Sequence, residues 1–133
     1  MDDLPDMHDG FFDGLWTSEN KKAYLFLRTY TGGRSTLVLK DLERIDVSNF
    51  KAGNIIFDVV FVDSGELTVE HIQQLYQFSD SGKAQQFLEK AQDRGLRLLQ
   101  VNPSYGADCT ALFQTAEILP GHVLPLRAVP LPT

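Results

Sequence analysis

A chain of 133 residues and 14.9 kDa has the size of one domain, and a 43% hydrophobic fraction with nine Phe, four Tyr and one Trp supplies a core and excludes a disordered chain. The formal charge of −6 resides in the first nineteen residues, where Asp2, Asp3, Asp6, Asp9, Asp13 and Glu19 stand without a Lys or Arg, while the other 12 acids are matched by all 12 bases. That balance argues against nucleic acid and anionic lipid as partners, no apolar run reaches bilayer length, and a lone cysteine, Cys109, leaves no internal disulfide or CxxC motif, all of which suits a cytoplasmic chain.

In chain order, residues 1–7 read as an acidic leader without a signal peptide's basic and apolar parts, and the ordered core is expected from about 8 to 119. Phe11 to Thr17 predicts a first strand, with Gly14 marking a bulge in it. Lys22 to Tyr30 and Ser35 to Lys40, joined by Thr31-Gly32-Gly33, predict a β-hairpin whose glycines supply positive φ. Leu42 to Val47 alternates with period two and predicts a half-exposed strand. After a turn at Gly53-Asn54, the run Ile55 to Val62 is apolar on nearly both faces and predicts a central strand.

The period then changes. Glu66 to Phe78 predicts a helix with Ile72 and Leu75 inward and a cap from Ser64 or Thr68; Ser81 to Gly95 predicts a second, with Ala84, Phe87, Leu88 and Ala91 inward and Gly95 as its stop. Leu96 to Val101 and Cys109 to Leu119 predict two last strands, linked by the turn-rich residues 102–108. The tail 120–133 carries Pro125, Pro130 and Pro132 and is expected to be extended or polyproline-like. The class is α+β, one domain over 1–133: a bent, mainly antiparallel sheet with two helices between the fifth strand and the last two. A partly closed barrel plugged by the helices is the alternative.

No GxGxxG, Walker loop, HExxH or GxSxG element is present, so no cofactor is expected and no catalytic residue is assigned. His8-Asp9, with Asp6 and Asp13 close by, have residue types suited to a metal or an acid/base pair. Neighbours on an extended chain point apart, however, so the expectation is a turn made by Asp9 with His8 packed on Phe11 or Trp16, and no metal. Cys109, in an apolar alternating strand, reads as a small buried hydrophobe rather than a nucleophile activated by His71 or His122; His71 reads as part of a solvated helix face. Asp58 lies in the most apolar strand, where an ionised carboxylate needs a partner, and Arg28, Arg44 and Arg97 are the candidates.

The run Met7-His8-Asp9-Gly10-Phe11-Phe12-Asp13-Gly14-Leu15, followed by a hairpin and by Gly53-Asn54-Ile55-Ile56, resembles the start of small uncharacterised bacterial proteins, some of them similar to immunity proteins of toxin systems. The resemblance covers about the first half of the chain and holds no catalytic motif. It implies a compact acidic protein that binds a partner and performs no chemistry. The expected function is therefore a non-enzymatic interaction module, with acidic residues steering a basic partner and Phe12 or Trp16 anchoring it. His8, Asp9, Phe12, Asp13, Trp16, Tyr24 and Asp58 are the candidate binding residues. The alternative is a small-molecule site or modest enzyme in the concave face of the sheet using Asp58, Tyr24 or His8. A homodimer through a strand edge or through Val123-Leu124-Pro125-Leu126 is a further expectation.

Overall fold

The computed structural model describes residues 4–124; the first three residues of the leader and the proline-rich tail from Pro125 lie outside them. Eight strands, β1 (Phe11–Ser18), β2 (Lys22–Arg28), β3 (Arg34–Lys40), β4 (Arg44–Ser48), β5 (Asn54–Val62), β6 (Arg97–Tyr105), β7 (Asp108–Phe113) and β8 (Thr115–Pro120), form one antiparallel sheet. Helices α1 (Val69–Tyr76) and α2 (Ser81–Asp93) lie between β5 and β6, after a short 3-10 turn at Ser64–Glu66. The fold is α+β as the sequence predicts.

The strand order β4-β7-β6-β5-β1-β2-β3-β8 places β5 centrally, and the sheet is not closed into a barrel. The seam between β5 and β1 is only two residue pairs long, Phe11 with Ile55 and Phe12 with Asn54, so the sheet consists of two flaps joined at a narrow waist. One flap contributes Phe12, Leu25, Leu27, Leu37 and Leu39 to the main core; the other contributes Ile56, Leu99, Val101, Cys109, Ala111 and Phe113. The inner faces therefore close over a shared core, in which each fully buried Leu or Phe contributes about 1.5–3 kcal/mol. On the opposite face of β5, β6 and β7, Val62, Leu98 and Leu112 pack against Ile72, Leu75, Ala84, Leu88 and Ala91 of the helices. Successive residues of a strand point to opposite faces, so Leu98 meets the helices while Leu99 enters the main core.

Local chemistry sets the boundaries. Asp13 is the extra residue of a bulge in β1, whose register slips between Phe12 and Gly14. The β2–β3 hairpin turns through Gly32 at φ 98°, a backbone conformation that costs glycine nothing. Thr68 caps α1 by accepting from the His71 N–H, and the His71 ring in turn accepts from the Thr68 N–H at 3.0 Å. His71 thus completes a capping box, a role its assignment to a solvated face omits, and α1 starts at Val69, not Glu66. The Asp80 side chain caps α2 on the Gly82 N–H, and Gly95 at φ 67° ends it while Leu96 N–H returns to Ala91 O.

The end of the chain departs from expectation. The single strand predicted over Cys109 to Leu119 is two strands broken at Gln114: β7 pairs with β6 and β4, whereas β8 pairs with β3. Gln114 N–H bonds Lys40 O and Glu43 N–H bonds Leu112 O, so the β3–β4 and β7–β8 corners are tied together. Residues 102–105, read as linker, continue β6, and Pro103 is accommodated where the register against β5 slips. Met7, placed in the leader, is 4% exposed and belongs to the main core.

Candidate functional site

The turn that feeds β1 is built from four residues with distinct duties. Met7 is the core anchor. Gly10 N–H bonds Met7 O at 2.8 Å, and Asp9 takes φ 59°, a left-handed conformation that Asp tolerates better than most residues. Asp9 N–H then bonds Ile56 O and Ile56 N–H bonds Gly10 O, fastening the turn to β5. A Cβ at Gly10 would lie 2.6 Å from Arg28 O, so this position admits no side chain without backbone movement.

His8 projects from that turn. Its N–H bonds Asp6 Oδ1 at 3.0 Å, its ring Nδ1–H donates to Phe57 O at 2.8 Å, and its ring meets the Phe57 ring edge-on at 5.5 Å. Nε2 lies 3.6 Å from Asp9 Oδ2. The Phe57 carbonyl foremost, and then the Asp9, Asp6 and Asp58 carboxylates, hold the imidazole pKa above its ordinary value of 6.5. The sequence's partner rings for His8, Phe11 and Trp16, are replaced by Phe57, because the turn lies against β5.

Two open grooves flank His8. One is lined by Leu4, Asp6, Phe57, Asp58 and Phe61, the other by Pro5, Asp6, Asp9, Thr29, Tyr30 and Thr31. Phe57 is 53% and Tyr30 74% exposed, high values for aromatic rings. The structure thus gathers His8, Asp9 and Asp58 of the candidate residues. Asp58 accepts from Asn102 Nδ2 at 2.7 Å, not from an arginine. The three expected arginines are engaged elsewhere, Arg28 with Asp13, Arg44 with Leu75 O and Asp46, and Arg97 with Asp63.

The other candidates lie apart. Phe12 is 1% exposed, in the main core, and so is no surface anchor; the bulge at Asp13 leaves Phe11, not Phe12, on the outer side with Arg28 stacked over it at 4.1 Å. Tyr24 is buried on the face turned away from the main core, beside Trp16 and Val38 in register, so it does not serve a concave-face site. Trp16 is partly exposed beside it. Asp13 receives a bidentate pair from Arg28 at 3.0 and 3.2 Å, with the His122 Nε2 3.9 Å away. Arg28 is held above its ordinary pKa by that bond. His122 also bonds Leu27 O, and Thr36 Oγ1 bonds Gly121 O and accepts from Val123 N–H, which lays residues 121–123 against β3 and β2. Cys109 is buried as expected, and burial pushes its thiol up to about 12, the opposite of nucleophile activation.

Sequence reasoning missed three side chains. Phe57 and Tyr30 were folded into apolar and turn patterns that say nothing about exposure. Asn54 was read as a turn residue, yet it is 2% exposed and makes four hydrogen bonds: its Oδ1 accepts from the Lys51 and Ala107 N–H groups, and its Nδ2 donates to Phe12 O and Lys51 O. Among the described residues no three His, Cys, Asp or Glu side chains converge as a metal-ligand set, and no helix is long and apolar enough to cross a membrane. Comparison with family models, with curated proteins and with solved structures returns no match for this chain.

Proposed function

We propose that the chain is a non-enzymatic protein-binding module, of the immunity-like or partner-regulating kind, that works through the face around His8. The observation that carries the reading is the pair of exposed aromatic rings, Phe57 and Tyr30, standing on either side of a turn whose backbone is fixed by hydrogen bonds. Aromatic side chains on a rigid base supply large contact area at small entropic cost. The groups that would serve chemistry have structural duties instead: His8 holds Phe57 O, His71 caps α1, His122 holds Leu27 O and Asp13 holds Arg28. The concave face, where the alternative places a substrate, is filled by Phe12, Leu25, Leu37, Leu99 and Phe113.

The test is a differential capture. Wild-type protein and the Phe57→Ser/Tyr30→Ser variant are immobilised in parallel, and proteins retained only by the wild type are purified and their binding measured directly. A purified protein that binds the wild type and binds the variant at least about tenfold more weakly supports the reading, since two anchors of this kind carry about 1–2 kcal/mol each. Identical retention by both proteins overturns it.

A further inference from the structure

We propose that this face receives a basic segment of the partner, with one cationic side chain in each groove beside His8. The inference rests on the binding-module reading and adds the chemistry of the occupant. Each groove holds an exposed aromatic ring together with carboxylates: Phe57 with Asp6 and Asp58 on one side, Tyr30 with Asp6 and Asp9 on the other. A ring face beside a carboxylate suits a guanidinium or ammonium group, which gains cation–π attraction from the first and a charge-assisted hydrogen bond from the second. Among the described residues neither groove is lined by Lys or Arg, and His8, 3.6 Å from Asp9 Oδ2, is the one basic group shared by both, so the three carboxylates outnumber the cations within the site. Each carboxylate in the grooves keeps lone pairs beyond its structural bond, Asp58 beyond Asn102 and Asp6 beyond the His8 N–H.

Charge complementarity decides between occupants. A second copy of the chain would bring the same three acidic residues against themselves, which opposes a symmetric dimer on this face. A purely apolar segment would bury the carboxylates without partners. A segment carrying two Arg or Lys side chains satisfies rings and acids together, and the acidic excess of the first nineteen residues attracts it from a distance.

The probe is the blocked hexapeptide Arg-Gly-Arg-Gly-Arg-Gly, titrated into labelled full-length protein by NMR, with Glu-Gly-Glu-Gly-Glu-Gly as control. Saturable shifts confined to His8, Asp9, Tyr30, Thr31, Phe57 and Asp58 are expected, with none from the control. The Asp6→Asn/Asp9→Asn/Asp58→Asn variant keeps one acceptor oxygen at each position, enough for the bonds from the His8 N–H and Asn102, and should bind the Arg peptide about tenfold more weakly with an unchanged melting curve. If that variant melts early, Asp9→Asn alone, which tolerates the same left-handed backbone, replaces it with an expected loss of about threefold. Shifts spread over distant acids such as Glu89, Asp93 and Glu117, no shift at all, or undiminished binding by the variants each overturn the basic occupant. A peptide failure alongside a partner still lost by Phe57→Ser/Tyr30→Ser leaves the binding module standing and removes only this inference.

Discussion

Asn54 and His8 both tie the N-terminal strand to β5, and they do it in opposite ways. Asn54 is buried and spends both polar atoms of its side chain on four backbone groups drawn from three segments of the chain. His8 is exposed, spends one ring nitrogen on Phe57 O and leaves the rest of its surroundings to carboxylates and open grooves. A buried side chain with every hydrogen bond satisfied is structural, whereas an exposed polar side chain fixed at one end keeps hydrogen-bonding capacity at the other. The difference assigns the first to the fold alone, whereas the second both fastens the turn and borders the face on which the proposed function rests.

The sharpest way to break the comparison is Asn54→Ala. It strands the Ala107 N–H and takes a donor from Phe12 O, both in the interior, so a loss of about 3–5 kcal/mol is expected in chemical denaturation, against a far smaller loss for His8→Gln. Equal losses would erase the distinction. Gly10→Ala comes next, because the backbone of the turn that carries His8 is fixed by hydrogen bonds: the new Cβ meets Arg28 O and Met7 O, and about 1–3 kcal/mol should be lost in thermal melting.

Tyr76 sharpens the contrast from a third side. Its hydroxyl is buried with no hydrogen-bond partner, and burial pushes its pKa up to about 12. Tyr76→Phe removes a polar atom that is desolvated for nothing, so stability should stay level or rise by about 1 kcal/mol; a clear loss would mean that the hydroxyl has a partner in solution. The smallest effect concerns His8. Its folded pKa is raised, so its stabilising contribution is complete below the ordinary value near 6.5 and fades as pH climbs through the folded value. An NMR titration should give a midpoint above 6.5 that falls in Phe57→Pro, where the backbone distorts, and in Asp9→Asn, where a carboxylate is removed; a midpoint at or below 6.5 would contradict the geometry.

Much of the fold was legible because its signals are local. Period-two and period-3.6 patterns located the first five strands and both helices, and Gly14 and Gly95 marked the bulge and the helix stop. What escaped depends on partners far away in the chain. Gln114 breaks an apolar run where β7 leaves β6 for β8 to join β3, and one polar residue does not announce such a corner. Phe11 and Phe12 are adjacent and identical in type, so their inward and outward senses follow only from the bulge at Asp13. Of the candidate site, His8, Asp9 and Asp58 were picked out by chemistry. Phe57 and Tyr30 were not, since exposure of an aromatic ring is set by how the flaps fold and leaves no trace in a window of sequence.

The narrow waist between β1 and β5 bears on the order of events as the chain folds. The hairpin of β2 and β3 forms from neighbours, but the waist requires Phe11 to find Ile55, and the outer pairing requires Lys40 to find Thr115. Closing such long loops costs entropy before any contact rewards it, so slow folding is expected, on the order of milliseconds to seconds. The turn that carries His8 has its bonds to Ile56 and Phe57 only where β5 stands at the waist, so it is complete only when the two flaps are joined. Any opening of that waist therefore dismantles the His8 turn and both grooves beside it together.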